Sequence, residues 1–427
     1  MKTDNNKIYL LFFLIFCAFA AGTAALFYFN DEPEYLETPI YRENPVKPEN
    51  KFLKSWEDIK NEFILKETDF LEANLHEMKI RVFKKGTLER EVSILAKGDP
   101  QAWGGSAAGI YKILSGNKLS FSNISKVYMP YALHYFGKYY IHGVPYYPGG
   151  EKLGSPVSGG CLRLADSDAK EIFELTELNM PVLVIDKERE EFKYEKEGFL
   201  GVPEISAESY LLADLDSGFI FSEKNSGNKI QTGDLAKLME ALVVAENVNL
   251  ERAAEYDGKD LRVVELFYPL LINSSDDAAE ALSGFLGKEK TVRLMNEKAK
   301  GIMMENTFFD SISKSGGNIS TAEDLFYLAR QILNTRHPLF DISKGKRVVS
   351  FGGPFFNIGA MRNYNLFEDK KNFIGGKADA SGNSGMFVFS IVKDGEKKNI
   401  VFIILNSTEL KEGVEKLYSW LYSSYFN

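Results

Sequence analysis

Ile141-His142-Gly143-Val144-Pro145, followed beyond Gly149-Gly150 by Ser158-Gly159-Gly160-Cys161-Leu162-Arg163, is the stretch on which the reading of this chain turns. A cysteine attacks carbonyl groups as a thiolate, so it needs a base or a positive neighbour. Glycines directly before it let the backbone turn tightly and offer N–H groups to a developing oxyanion. His142 is the nearest histidine and ends the strand-like run Tyr139-Tyr140-Ile141, a rigid place from which to aim an imidazole. Arg163 adds positive potential beside the sulfur, or binds a substrate carboxylate. Taken singly, a cysteine after two glycines reads as a small core residue, and a lone histidine as structural. The chain has only four histidines and two cysteines, and the second cysteine, Cys17, lies in an apolar N-terminal run. Together, then, His142 and Cys161 point to nucleophilic chemistry without disulfides.

Outward from this stretch the pattern is mostly that of strands. Met78, Ile80 and Val82 alternate with polar neighbours, Lys85-Gly86 makes a turn, and Val92-Ser93-Ile94 resumes the alternation, which is a hairpin signature. Short strand-like runs follow at 109–113, 118–121 and 139–141. A helix is expected over Ser167–Leu178 and a closing strand over Val182–Ile185. Before the hairpin, apolar residues from about Phe52 to Leu75 recur at helical spacing. The charged segment Lys187–Lys196 reads as a linker or an exposed element end.

The second half has a different grammar. Strand-like runs at 211–215 and 219–221 precede helix-period segments at 234–246, 276–287, 290–299 and 321–333. Strands at 385–393 and 399–405 and a helix over about 409–423 finish the chain. Strands at both ends with helices between suggest a mixed α/β domain.

At the N-terminus, Ile8–Phe29 carries no charge over 22 residues, and roughly 20 residues span a bilayer core as a helix. Lys2 and Lys7 precede it and Asp31, Glu32 and Glu34 follow it, so a retained anchor would leave the remaining chain outside the cytoplasm. A cleaved signal peptide, with Ala18-Phe19-Ala20 as its processing site, is the competing reading. Residues 30–50, with Pro33, Pro39, Pro45 and Pro48, read as an extended stalk. The 427 residues are 44% hydrophobic and 26% charged, which is globular usage, and the net charge of −9 argues against a nucleic-acid partner.

The motif around Cys161 resembles that of the L,D-transpeptidases of the YkuD type: a histidine, a gap of 14 to 17 residues, then Ser/Thr-His-Gly-Cys, a hydrophobic residue and Asn or Arg. Here fifteen residues, 143–157, separate His142 from Ser158-Gly159-Gly160-Cys161-Leu162-Arg163. Asn74-Leu75 through Gly86, Lys97-Gly98-Asp99, Met129-Pro130-Tyr131, Asp168-Ala169 and Pro181–Ile185 are similar to further landmarks of the family. The resemblance covers about 67–186. One position departs: the usual histidine two residues before the cysteine is Gly159. His134 could take its place, though no pattern in the sequence puts it there.

What the resemblance implies is a ping-pong acyl transfer on peptidoglycan stem tetrapeptides, with Cys161 as nucleophile and His142 as base, the latter held by a backbone carbonyl such as that of Gly143. Gly160 and Cys161 would supply oxyanion N–H groups, and Ser158 and Arg163 belong to the same substrate-facing set. The family needs no metal or organic cofactor.

From about 205 onward the chain resembles penicillin-binding D-alanyl-D-alanine carboxypeptidases, a β-lactamase-like group. Leu212–Gly218, Leu235–Met239, Leu270–Ala279, Met304–Phe309, Ser320–Leu325 and Gly375-Gly376-Lys377 carry that likeness. Its three motifs are altered. The lysine of Ser-x-x-Lys is Lys237, but the nucleophile position is Asp234. Ser-x-Asn reads Ser274-Ser275-Asp276, and Lys-Thr-Gly reads Lys377-Ala378-Asp379. A carboxylate in place of the serine cannot form the usual acyl-enzyme, so this domain is expected to be inactive in that sense.

The expected organisation is thus multidomain: tail and transmembrane helix over 1–30, stalk and helix over 31–66, a mostly-β L,D-transpeptidase domain over 67–186, a linker over 187–204, and an α/β carboxypeptidase-like domain over 205–427. The alternative function is a non-catalytic peptidoglycan-binding or scaffolding protein of the cell envelope, favoured by Gly159 and the altered second domain.

Overall fold

In the computed structural model, which describes residues 51–155, 157–196, 200–312, 316–348 and 358–426, Ser55 opens the first helix, α1 (Trp56–Leu65). Its hydroxyl accepts from the Asp58 N–H while the Asp58 carboxylate takes the Ser55 N–H in return, a capping box. The apolar spacing up to Leu75 suggests a longer helix. Instead the chain turns at Glu67, where φ is 50°, and Phe70–Asn74 forms strand β1. Every residue of β1 is buried, Glu72 and Asn74 included, so both faces of this central strand are covered. The expected membrane anchor and the stalk up to residue 50 lie outside the described residues. Among the described residues no helix is long and apolar enough to cross a membrane.

The N-terminal region is β-rich. Strands β2 (Lys79–Lys84), β3 (Thr87–Ser93), β4 (Gly109–Lys112), β5 (Ser115–Ser122), β6 (Val127–Phe136), β7 (Tyr139–His142) and β8 (Leu162–Arg163) precede helix α2 (Asp166–Leu175) and strand β9 (Pro181–Ile185). One sheet has the order β3-β2-β1-β9-β4 and the other β5-β6-β7-β8. Leu71, Val82 and Val184 from the first, Tyr135, Ile141 and Leu162 from the second, and Ile172 of α2 share one core. β6 was not marked as a strand by the sequence, because Pro130 interrupts a run that otherwise alternates.

The C-terminal region is α/β. Strands β10 (Ser209–Asp214) and β11 (Ile220–Lys224) lead through the short strand β12 (Ile230–Gln231) to helix α3 (Ala236–Asn247). The hairpin β13 (Ala253–Tyr256) and β14 (Lys259–Arg262) precedes helices α4 (Val263–Leu271), α5 (Asp276–Gly284) and α6 (Lys288–Gly301). After β15 (Ile319–Ser320) come α7 (Ala322–Thr335) and α8 (Pro338–Ser343), then β16 (Phe373–Ala378), β17 (Gly385–Lys393), β18 (Glu396–Leu405) and α9 (Leu410–Leu421). The main sheet runs β11-β10-β18-β17-β16, all antiparallel. Alternate residues divide its faces: Leu211, Val401 and Ile403 pack under α3–α8, while Leu212, Phe402 and Ile404 pack under α9.

Helix α4 escaped the periodicity reading because all nine of its residues are buried, leaving no polar stripe to mark a helical period. The segment expected as a charged linker is in part packed down. Tyr194 is buried among Phe219, Phe221 and Tyr425 and donates to the Asp214 carboxylate at 3.1 Å.

The two regions share apolar and polar contacts. Trp103 stacks on Phe267 of α4 at 5.4 Å, and Phe70, Phe83 and Ile185 belong to the same core as the helices α3–α8. Lys298 of α6, fully buried, donates to Glu246 of α3 at 2.8 Å and to the Tyr111 hydroxyl of β4 at 2.8 Å.

Candidate active site

The parallel pairing of β7 with β8 sets Ile141 beside Leu162 and His142 beside Arg163. Cys161, one residue before β8, is thereby carried to the end of β7 where His142 stands. Bonds from Leu164 N–H to the His142 carbonyl (2.9 Å) and from Arg163 N–H to the Ala96 carbonyl (2.9 Å) hold the two segments in place. His142 and Cys161 line one cleft of about 250 Å³ together with Lys138, Arg163 and Ser158. Asn249 and Leu250, from the segment after α3, line it as well.

His142 is 3% exposed, and its Nδ1 lies 2.6 Å from the carbonyl oxygen of Gly143. That carbonyl can only accept, so Nδ1 carries the proton and Nε2 carries the lone pair. Burial pulls the imidazole down to about 4, and Arg163 acts in the same sense against the Gly143 bond. The turn that carries Gly143 is itself fixed, since its N–H donates to the Pro130 carbonyl at 2.8 Å and the next N–H, of Val144, to the Asp166 carboxylate at 2.8 Å.

The Cys161 thiol lies 3.7 Å from the Lys138 carbonyl oxygen. Burial pushes its ionisation up, while the Tyr140 N–H, the Arg163 guanidinium and the Lys138 ammonium favour the thiolate. Thiol and imidazole are therefore both held toward their neutral forms at rest.

Gly160 adopts φ of +114°, and a Cβ there would collide with the Tyr139 ring, so the turn before the cysteine requires glycine on both counts. Its N–H donates to Ser158 Oγ at 3.0 Å, and that hydroxyl donates in turn to the Cys161 carbonyl at 2.6 Å. Ser158 thus braces the loop from within, and the Gly160 N–H that sequence reasoning offered to an oxyanion is engaged with it. Arg163, 8% exposed, donates to the Ser155 carbonyl at 2.7 Å. Position 159 is open: a Cβ there meets nothing within 4 Å. His134 bonds to the Gly137 carbonyl at 2.8 Å, stacks on Tyr140 at 4.6 Å and is not among the residues lining the cleft.

Sequence reasoning missed Lys138, Asn249 and Leu250. Lys138 directly precedes the strand that ends in His142, which is the one available signal for it. Asn249 and Leu250 reach the cleft only through the packing of the two regions, for which no local pattern exists.

A second polar cluster lies in the α/β region, where the fold gathers Asp234, Lys237, Ser274, Asp276 and Lys377. Asp234 sits in a single 3-10 turn, Gly233–Leu235, ahead of α3, which carries Lys237. Lys237, 1% exposed, donates to Asp234 Oδ1 (2.7 Å), Asp276 Oδ1 (2.7 Å) and the Ser274 carbonyl (2.6 Å). All three ammonium hydrogens are accounted for. The other oxygen of Asp234 accepts the Ala380 N–H at 2.9 Å. Burial pushes the Asp234 carboxyl up, but Lys237, that N–H and Lys377 outweigh it and hold it below the usual carboxylate range. Lys377, fully buried in β16, donates to Ser274 Oγ and to the Ala378 carbonyl. Among the described residues no group of His, Cys, Asp and Glu side chains is arranged to hold a metal ion.

Comparison with known proteins agrees with this division. Residues 68–184 match the model of the L,D-transpeptidase catalytic domain, and residues 251–408 match that of the D-alanyl-D-alanine carboxypeptidases. The D-alanyl-D-alanine carboxypeptidase DacA of Escherichia coli strain K12 is 23% identical over 252 residues, 52% of this chain and 62% of that protein. DacB2 of Mycobacterium tuberculosis is 26% identical over 163 residues, 34% of this chain and 55% of that protein. The chain therefore spans less than two thirds of the length of these relatives. Among solved structures, the D-alanyl-D-alanine carboxypeptidase from Mycobacterium tuberculosis H37Rv aligns with a TM-score of 0.45 and 20% identity, covering 55% of this chain and 99% of that one. Penicillin-binding protein 6B from Escherichia coli aligns at 0.45 and 21%, covering 53% and 81%.

Proposed function

We propose, for a chain that joins an L,D-transpeptidase catalytic domain to a D-alanyl-D-alanine carboxypeptidase domain, that Cys161 is the nucleophile of a peptidoglycan acyl transfer and His142 its base. The observation that carries the reading is the shared cleft of the two side chains, with His142 Nδ1 bonded to Gly143 so that Nε2 is the free base. The substrate class is the stem tetrapeptide of peptidoglycan, the polymer on which both families act.

In the first half-reaction the Cys161 sulfur bonds to the carbonyl carbon of the third stem residue, and its proton passes to His142 Nε2. The oxyanion that forms is met by the Cys161 N–H, since that of Gly160 is engaged by Ser158. The C–N bond to the terminal D-amino acid then breaks, and His142 returns its proton to the departing amine. In the second half-reaction an acceptor amine, or water, attacks the thioester carbonyl and gives its proton to His142. The C–S bond breaks and the thiol is restored. An amine yields a 3-3 cross-link, and water yields a trimmed stem. Arg163 serves the thiolate by its charge, with no need of a metal or organic cofactor.

The Asp234–Lys237–Asp276 cluster supports an inactive carboxypeptidase site, because the carboxylate at position 234 offers no hydroxyl to acylate and is itself bonded on both oxygens. Localisation follows the same reading: an envelope protein held by a single span over Ile8–Phe29, with its domains outside the cytoplasm. One observation favours the second reading, binding without turnover: burial raises the thiol and lowers the imidazole, so neither is charged at rest.

Mass spectrometry of tetrapeptide muropeptides incubated with the purified protein and with its Cys161→Ala variant separates the two. A cross-linked dimer or a tripeptide made only by the unmutated protein is the expected result. The same product from both proteins, or from neither when both are folded, sinks the transferase reading.

A further inference from the structure

We infer that Asn249 and Leu250 of the α/β domain are specificity-determining residues of the Cys161 cleft, setting the size of the terminal D-residue that the thiol site accepts. The inference rests on the reading of Cys161 as the nucleophile that attacks a stem peptide.

Both residues line the cleft that holds His142 and Cys161, and every other described residue lining it comes from the β-rich region. They stand there as part of a built turn. Asn249 follows the end of α3; its carbonyl accepts the Arg252 N–H at 3.1 Å and its side-chain oxygen the Glu251 N–H at 3.1 Å. The Leu250 carbonyl accepts the N–H of Val264, in α4, at 3.3 Å. Leu250 is 6% exposed and belongs to the apolar core of the α/β helices, so it is fixed from behind.

The turn is also held in register with the strand that ends in His142. Lys138, one residue before β7, donates its ammonium to the carbonyls of Ala245 (3.0 Å) and Val248 (3.3 Å) at the end of α3. Gly137 beside it lies so close to α3 that a Cβ would stand 2.7 Å from the Asn247 side-chain oxygen. Arg336, fully buried after α7, donates to the Tyr139 hydroxyl. A third cleft residue, Trp103, is backed by the same domain, its ring stacked on Phe267 of α4 at 5.4 Å. The α/β domain therefore bounds one part of the cleft directly and steadies another.

The lining chemistry selects what seats there. Trp103, Met129, Pro145, Leu153 and Leu250 are apolar, the charged residues are Lys138 and Arg163, and no described residue lining the cleft is a carboxylate. Such a cleft favours the end of a stem that carries the free carboxylate and disfavours one that carries an ammonium. In a donor stem that end is the terminal D-residue, the leaving group of the first half-reaction. Within about 250 Å³, its side chain competes for the space that Asn249 and Leu250 bound.

The test compares two reagents of one chemistry and different size, N-methylmaleimide and N-phenylmaleimide, on the full-length protein. Labelling rates are read at the Cys161 peptide by mass mapping so that Cys17 does not contribute. Taking the ratio of the two rates cancels any change in thiol ionisation. Leu250→Ala opens the wall and is expected to raise the phenyl-to-methyl ratio about tenfold, the low end of what methylene-sized differences do in an apolar pocket. The ratio of kcat/KM for stems ending in D-phenylalanine to that for stems ending in D-alanine is expected to rise by a similar factor. A merely structural leucine would lower the melting temperature and change both members of each ratio alike, so unchanged ratios in folded L250A overturn the inference. Should L250A fail to fold, Asn249→Trp decides, since Asn249 is exposed. It fills the cleft, so both ratios should fall, and unchanged ratios overturn the inference. The maleimide ratio is measurable whether or not muropeptides turn over. A ratio that shifts with no product from the unaltered chain supports the wall and sinks the transferase reading. Product from the unaltered chain, with a kcat/KM ratio that neither variant moves, sinks this inference and leaves that reading standing.

Discussion

Nδ1 of His142 stands 2.6 Å from the carbonyl oxygen of its own neighbour, Gly143, and this bond settles which nitrogen of the ring is free to act. With the proton fixed on Nδ1, Nε2 is a base for as long as the ring is neutral. Burial brings the ring down to about 4, so the neutral form persists well below the ordinary histidine value. The acid limb of kcat/KM for muropeptide transfer is therefore expected below pH 6, with activity falling only as the ring takes its second proton. His142→Gln keeps the size and removes the base. It should cost two to four orders of magnitude, roughly the range of general base catalysis. An acid limb near 6.5, or a Gln variant within tenfold of the parent, would count against this assignment.

Gly160 presents a second constraint, because its φ of +114° and the Tyr139 ring beside it both exclude a side chain. Gly160→Ala should strain the backbone by about 1–3 kcal/mol and displace the thiol from the Tyr140 N–H. The measurement is a paired one, thermal melting together with the alkylation rate of Cys161. Both should change; an unaltered alkylation rate would show that the sulfur's position does not depend on this turn.

The meeting of Cys161 with His142 was legible in the sequence because their spacing is short and each lies beside the strand pairing that joins them. Ser158, Gly160 and Arg163 were legible as members of the same run, but their bonds were not. Nothing in a linear pattern indicates that the Ser158 hydroxyl occupies the Gly160 N–H. Lys138 and Leu250 were illegible for a different reason. Their relation to the sulfur depends on α3 ending against the β6–β7 turn, a contact between segments more than one hundred residues apart. The main sheet of the α/β region was read at β10, β11, β17 and β18 as strand-like runs. β16 was read only as a motif, since Gly375 and Gly376 blank out its pattern.

Glu246 and Lys298 form a fully buried pair between α3 and α6, with Lys298 also bonded to Tyr111 of the β-rich region. Burial lowers the lysine and Glu246 opposes that shift, so Lys298 depends on Glu246 to remain charged. Lys298→Met leaves the carboxylate buried alone and should destabilise the protein by about 3–5 kcal/mol in denaturant unfolding. Pairing it with Glu246→Leu should recover most of that loss. A single variant and a double variant of equal stability would show that the pair acts independently of its partner charge.

Asp234 bears on whether the second domain reacts with β-lactams. Its two oxygens are taken by Lys237 and the Ala380 N–H, and Lys237 is fully engaged with Asp234, Asp276 and the Ser274 carbonyl. A fluorescent penicillin should therefore leave no covalent adduct on the Cys161→Ala protein, in which the only labelled site could be in this domain. Asp234→Ser restores a hydroxyl, but Lys237 remains bonded to Asp276, and Lys377 remains bonded to Ser274. That variant should also stay unlabelled unless Asp276 is changed with it. Because the Asp234 carboxyl is held low in the fold, its ion pair stabilises the protein fully above the carboxylate's ordinary value of 3.8 and loses that contribution as acid protonates it. Asp234→Ala should accordingly lower stability at neutral pH and flatten its decline in acid. Penicillin labelling of the Cys161→Ala protein would overturn the inactive reading of this domain, whatever the stability measurements return.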